Sequence, residues 1–280
     1  MWQGLMLIAI ICLSVGRLMQ RGLLRDGKHD PVTYSIYFQF IVPLIILPIA
    51  LLNNFTMPPL SVIWPQFILM TVLYGTASVL FYLALKHTPI SEVMVIGATG
   101  PIWTTITSIL FLGDKISFLK IIGVLLAVIG VAFVFYQKGR FRFHKGHFYA
   151  FLSILFFGIG LTNDSFLLRY FNQITYSFLY YFFPGLFITL IYPKKVLEIK
   201  GFIRKNASFS FFLPAFLAAI GSLLVNTSFR IGAEASQVST MMQLSPIFTI
   251  AVAAIFLGER ENLIKKMVGG VIVVTGVLMI

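Results

Sequence analysis

Apolar runs of about twenty residues, the length that crosses a bilayer as a helix, recur from one end of the chain to the other. Short polar or charged breaks separate them. A soluble fold has too small an interior to hide this much apolar surface. Of 280 residues, 59% are hydrophobic and only 11% charged, and the mean hydropathy is +0.95. The fold class is an all-α integral membrane protein. Ten spans are predicted, at 2–20, 33–52, 64–86, 92–112, 117–136, 147–170, 175–192, 208–230, 235–257 and 263–280. The start of the chain lacks the basic residues and small-residue cleavage site of a signal peptide, so its first span is expected to be retained.

The chain also matches itself at a constant offset of 145 residues. Pro101 meets Pro246, Ile102 meets Ile247, Thr104 meets Thr249, and Phe111-Leu112-Gly113 meets Phe256-Leu257-Gly258. An acid–base pair follows each glycine, Asp114-Lys115 and then Glu259-Arg260. Upstream, Ser91 and Val93 meet Ser236 and Val238; after a one-residue slip, Gly123 and Gly130 meet Gly269 and Gly276. These are two tandem copies of one unit, predicted as 1–136 and 147–280 around a basic linker at 137–146. Each unit has five spans. Two copies with an odd span number insert in opposite senses, which predicts inverted repeats about an axis in the membrane plane and a shared cavity near the midplane.

The net charge of +12 reads as the excess of Lys and Arg in cytoplasmic loops. No basic stretch is interleaved with aromatics as for stacking on bases, so no nucleic-acid partner is expected. The breaks after odd-numbered spans hold sixteen basic residues and those after even-numbered spans four. That bias places the rich side in the cytoplasm of a plasma or inner membrane and both termini outside. Cys12 is the single cysteine, which excludes disulfides within the chain and a thiolate metal site. His29, His87, His144 and His147 fall at helix ends or in basic loops, where solvation is the expected state, with chelation by His144 and His147 as the alternative. No cofactor or metal is expected.

At the proline-containing helix and the Leu-Gly-acid-base turn, the sequence resembles the EamA-type branch of the drug/metabolite transporter superfamily. The final glycine-rich helix of each copy, with Gly123 and Gly130 or Gly269 and Gly276, fits the same pattern. The resemblance covers nearly the whole chain. The family's turn is usually Gly-Glu, and the first copy has Asp114 instead. The resemblance implies a ten-helix carrier of two inverted five-helix repeats that exports or exchanges small metabolites. It also implies cytoplasmic termini, against the charge count.

A charge at the centre of a spanning helix costs roughly 2.5–3.5 kcal/mol on insertion scales. Asp164 lies inside the sixth span, as a proton-coupling or substrate-amine carboxylate or as an interfacial group paired with Arg169 or Arg230. Arg17 is expected to snorkel to the cytoplasmic interface, and Glu234 to pair with Arg230. Gln39, Asn226 and Gln243 are candidate cavity residues, with helix–helix hydrogen bonding as the alternative. Trp103 and Phe248 follow the equivalent prolines, and Tyr82 offers an aromatic wall with a polar tip. Pro101 and Pro246 are predicted to kink their helices and act as hinges. The glycines of spans five and ten are predicted to make flat packing faces.

A secondary carrier for a small organic solute such as an amino acid is the leading function, with the lipid bilayer and a small-molecule substrate as partners and a homodimer left open. Lipid or polyprenol-carrier flipping is the alternative. A membrane-embedded enzyme would need clustered catalytic groups, a pump of this chain alone a P-loop, and a channel charge rings or a filter loop. None of these is visible.

Overall fold

The computed structural model describes residues 2–25, 29–58, 60–113, 117–137, 140–141, 143–205, 209–233, 238 and 241–279. Asp114, Lys115 and Glu234, which the sequence singled out, lie outside the described residues. In chain order the elements are α1 (Trp2–Leu24), α2 (Pro31–Leu52), α3 (Leu60–His87), α4 (Ile90–Gly97), α5 (Gly100–Leu112) and α6 (Phe118–Phe135). A short antiparallel pair, β1 (Tyr136–Gln137) and β2 (Arg140–Phe141), leads into α7 (Lys145–Leu167). Then come α8 (Gln173–Ile191), α9 (Pro193–Lys205), α10 (Phe209–Arg230), α11 (Leu244–Phe256) and α12 (Leu263–Leu278).

Among the described residues, eight helical spans are long and apolar enough to cross a membrane, with α4 and α5 counted together as Ile90–Phe111. α11 is shorter, and the predicted ninth span continues into residues outside the description. The 16 residues of α12 rise about 24 Å, short of the roughly 30 Å hydrocarbon core. Exposed Leu7, Ile11, Leu44, Leu110, Leu125, Phe216 and Ile255 form the apolar outer surface that lipid covers.

Two predictions are corrected. The fourth span is not one kinked helix: it stops at Gly97 and restarts at Gly100, and Pro101 stands in the first turn of the new helix, where its missing N–H has no helical partner to lose. Likewise Pro246 lies in the first turn of α11, just after Gln243. The basic stretch after the seventh span is not only a break, because it contains α9. Its Phe202 ring packs on Tyr37 and Phe211 at 5.8 and 5.5 Å, while Leu197 and Ile203 are exposed beside several lysines. That is the pattern of a helix lying in the membrane interface.

Local chemistry sets the helix ends. Asp30, Ser117 and Asn172 accept from the backbone N–H groups of Thr33, Lys120 and Thr175 at 2.9, 3.2 and 2.8 Å, satisfying first-turn donors. Burial pushes the Asp30 carboxyl up, but hydrogen bonds from Thr33 and the charge of Lys195 outweigh it and hold it below its usual range. Its capping contribution is therefore present above the ordinary carboxylate range and fades as pH falls below it. Gly113 and Gly258, equivalent in the two copies, both turn left-handed at φ 75° and 67°. A side chain there is strained, which explains the repeated glycine.

The helices pack as α1 on α10, α3 on α7, α2 on α8 and α6 on α12, with α5 against α7 and α11 against α1. Tyr34, Phe38, Tyr82 and Met94 of the first half share one core with Phe211, Ala219, Ile250 and Val273 of the second. The α6–α12 contact is made by the predicted glycine faces: a Cβ on Gly276 would sit 2.5 Å from the Gly123 carbonyl oxygen, and one on Gly130 would sit 3.0 Å from that of Gly269. Gly276→Ala is therefore expected to cost about 1–3 kcal/mol through overpacking. Gly4→Ala, whose new methyl meets nothing within 4 Å, serves as control. Thermal melts that rank the two variants equally would contradict this packing.

Candidate functional site

Irregular backbone at membrane depth is tolerated only where protein covers it or where it lines a cavity. The α4–α5 interruption is covered by α7. There the Thr107 and Thr162 hydroxyls are 2.5 Å apart, Thr162 donates to the Thr104 carbonyl at 3.2 Å, and a Cβ on Gly158 would lie 2.5 Å from Trp103 Cβ. The start of α11 is covered by α1. The Ser14 and Ser245 hydroxyls are 3.0 Å apart, and Arg17 Nη1 donates to Ser245 Oγ at 3.1 Å. Arg17 thus turns inward to Ser245 instead of snorkelling.

Asp164 is buried at 7% exposure. It accepts from the Tyr74 hydroxyl at 2.5 Å and from the Tyr176 hydroxyl. Neither Arg169 nor Arg230 is its partner: Arg169 is exposed, and Arg230 donates to Asn53 Oδ1 at 3.0 Å. The Tyr180 ring packs on Tyr74 and Tyr181 at 4.4 and 5.0 Å. A row of tyrosines, Tyr74, Tyr180 and Tyr181, therefore runs from the acid on α7 across α8.

A second polar cluster closes the end of the molecule where the odd-numbered breaks meet. Glu259 accepts from the backbone N–H groups of Ile90 and Ser91 at 3.0 Å each and from Ser91 Oγ at 2.7 Å, and Arg21 Nε lies 3.6 Å from it. Glu92 binds His147 at 2.7 Å and Lys266 at 3.0 Å. Lys266, only 2% exposed, also donates to Ser91 Oγ at 3.2 Å. The carboxylates at the start of α4 are thereby tied to α1, α7, α12 and the Leu-Gly-Glu turn. His147 is buried and hydrogen-bonded to Glu92, and is not the solvated histidine expected from sequence. Glu92, His144 and His147 place donor atoms within 4.8 Å of one another, but the Lys266 ammonium already occupies the Glu92 carboxylate and opposes a cation there.

The other predicted residues are spread around this centre. Gln39 is buried on α2 against Gly185 of α8. Tyr82 packs its ring on Tyr34 and Phe38 at 5.0 and 5.8 Å. Asn226 donates to Ser177 Oγ at 2.7 Å and to the Gln173 carbonyl at 3.4 Å, tying α10 to α8 in the helix-joining alternative. Gln243 is half-buried at the N-cap of α11 without a capping bond, and Phe248 is half-buried on α11. Trp103 packs edge-on to Phe151 at 5.3 Å, with its indole N–H buried and without a partner among the described residues. Among the described residues, no hydrogen bond or ring contact joins Gln39, Trp103, Gln243 and Phe248 to one another. Sequence reasoning passed over Ser14, Ser245 and the inward sense of Arg17. The spacing Ser14-x-x-Arg17, which puts both on one helical face, was the available signal.

The fold is that of a multi-pass helical membrane protein with interrupted helices at its centre. A crystal structure of a protein 13% identical in sequence superposes over 98% of this chain and 94% of its own, with a TM-score of 0.62; at that identity the likeness is one of fold. No curated protein matches the chain in sequence. The model of the EamA-like transporter family matches residues 1–136 and again residues 144–280. The chain belongs to that family, within the drug/metabolite transporter superfamily.

Breaking a buried ion pair by removing one partner costs about 3–5 kcal/mol, because the other charge is left uncompensated. Glu92→Gln is therefore expected to lower the melting temperature well below that of a variant at the exposed Arg260. The double variant Glu92→Gln, Lys266→Met is expected to recover much of the loss. Singles and double that melt with the wild type would remove the cluster as a structural tie.

Proposed function

We propose that the protein is a secondary carrier, an exporter or exchanger of a small organic metabolite such as an amino acid, and not an enzyme. It works by alternating access between two inverted five-helix repeats, 1–136 and 147–280, joined by the basic linker 137–146. One observation carries this reading: the helix packing maps onto itself when the halves are exchanged. α1 on α10 becomes α7 on α3, α5 on α7 becomes α11 on α1, and the α2–α8 and α6–α12 contacts map onto themselves. The glycine contacts follow the same rule, since Gly123 against Gly276 exchanges with Gly269 against Gly130.

The breaks between spans support an alternation of ten crossings. Arg21 donates to the carbonyls of Leu85 and Lys86, Arg25 to that of Leu257, and Lys265 to that of Tyr136, while Lys195 pairs with Asp30. All of these join odd-numbered breaks. On the even-numbered side Asn172 donates to the carbonyls of Asn53 and Asn54, and Arg230 to the Asn53 side chain. The basic side is taken as cytoplasmic, with both termini outside. A C-terminal fluorescent-protein fusion is then expected to stay dark when exported outside bacterial cytoplasm, and a bright fusion reverses the orientation.

Asp164 is the coupling residue of this reading, because its carboxyl is held by two hydroxyls and no cation among the described residues. Gln39, Tyr82, Trp103, Asn226, Gln243 and Phe248 surround the path, and the breaks before Pro101 and Pro246 supply the hinges. In proteoliposomes, Asp164→Asn is expected to lower proton-driven solute flux by about tenfold or more, with the melting temperature little changed. Flux and pH dependence equal to those of the wild type would remove Asp164 from coupling. Absence of flux in the wild type across amino acids, polyamines, sugars and lipophilic cations would count against the carrier itself.

A further inference from the structure

We infer that Arg17 binds an oxyanion, a carboxylate or phosphate borne by the ligand, where α1 meets the first turn of α11. This rests on the carrier reading and narrows its substrate to an anionic or zwitterionic solute.

The position is interior. Arg17 lies seven residues before the end of α1, about 10 Å along the helix, and its neighbour Ser245 is fully enclosed at 1% exposure. Among the described residues the guanidinium has no carboxylate to answer it. Among the described residues Glu92 is held by His147 and Lys266, Glu259 by Arg21 and two amides, and Asp164 by two tyrosines. Asp30 and Glu198 pair with Lys195, and Glu261 is exposed on the basic side. Asp26, Asp114 and Glu234 lie outside the described residues.

The chemistry around the charge is that of an anion receptor. Nη1 makes one bond, to the Ser245 hydroxyl at 3.1 Å; Nε and Nη2 have no protein acceptor among the described residues, and neither is enclosed. Arg17 is half-buried, so the interior does not fully enclose this free edge of the fork. A planar fork with a free edge matches the two oxygens of a carboxylate or phosphate. The Ser14 and Ser245 hydroxyls, 3.0 Å apart, are neutral donors beside it. Ser245 also sits in the first turn of α11, whose unpaired amides favour negative charge. A cationic solute would be repelled by the same group.

The test is thermal unfolding of the purified full-length protein with three isosteres, benzoate, benzamide and benzylamine, and with inorganic phosphate. Mixed micelles of phosphatidylglycerol or phosphatidylcholine form a separate arm that distinguishes a lipid headgroup from a soluble anion. A ligand that binds only the folded state raises the melting temperature. At least one oxyanion is expected to stabilise the wild type while benzamide and benzylamine do not. The shift is expected to vanish in Arg17→Gln, and Arg17→Lys is expected to bind about tenfold more weakly for want of a bidentate fork. Should Arg17→Gln fail to fold, phenylglyoxal labelling of Arg17 in the wild type, read by mass spectrometry, is expected to be blocked by the same oxyanion. Equal stabilisation by benzamide, a shift that persists in Arg17→Gln, or neither shift nor protection by any oxyanion overturns the inference. Flux of neutral or cationic solutes alone would leave the carrier standing and overturn the oxyanion site; oxyanion binding at Arg17 without flux of any solute would do the reverse.

Discussion

Inside a bilayer no water is present to satisfy a free backbone amide or carbonyl, and the rest of this structure depends on that constraint. It makes every crossing segment helical and requires any interruption to be sheltered by protein or by a cavity. The chain interrupts itself between Gly97 and Gly100 and again at Gln243. Each interruption is met by the first helix of the opposite half, α7 for one and α1 for the other. The polar side chains of the interior gather in the same places, because the elements that shelter loose backbone are also those that bring hydroxyls and charges to it.

The second constraint is the cost of charge away from water. Arg17 and Asp164 belong to opposite halves, Arg17 bound to Ser245 and Asp164 to two tyrosine hydroxyls, without a direct ion pair among the described residues. Other inward charges are paired at one end of the molecule, where Glu92, Lys266, His147, Glu259 and Arg21 tie four helices and a turn together. Among the described residues the basic end is therefore the one cross-linked by buried charge. In the aligned copy, Gln237 stands at the position of Glu92, so the two copies differ in charge there.

Much of the fold was legible in the sequence because membrane crossing, repeat and packing face are written in local patterns. Hydropathy gave the eight spans found among the described residues out of ten predicted, the self-match gave the equivalent prolines, and the spacing of Gly123, Gly130, Gly269 and Gly276 matches the α6–α12 contact. The interruption before Pro101 was read as a bend, because a proline signals a lost hydrogen bond without saying whether the helix continues. α9 was passed over because a lysine-rich stretch of low hydropathy reads as loop until its apolar residues meet partners such as Tyr37 and Phe211. The candidate site was less legible. Partners of buried polar groups lie far away in sequence, as Tyr74 does from Asp164 and Ser245 from Arg17. Residue type gives the cost of burying such a group but not the direction in which its helix turns it. His147 and Arg17 were both assigned to water for that reason.

The central claim is that two homologous halves rock about a shared interior. Spin labels at Lys86 and Glu261 report the basic end, and labels at Thr56 and Tyr170 report the other end; each pair joins the two halves. Replacing Cys12 first leaves no competing thiol. Electron–electron distance measurements in lipid nanodiscs, with and without a stabilising ligand, follow both pairs. The account expects reciprocal changes, one distance lengthening in the population where the other shortens. A single unchanging distribution at both ends, under every condition and in protein that still moves solute, would contradict it.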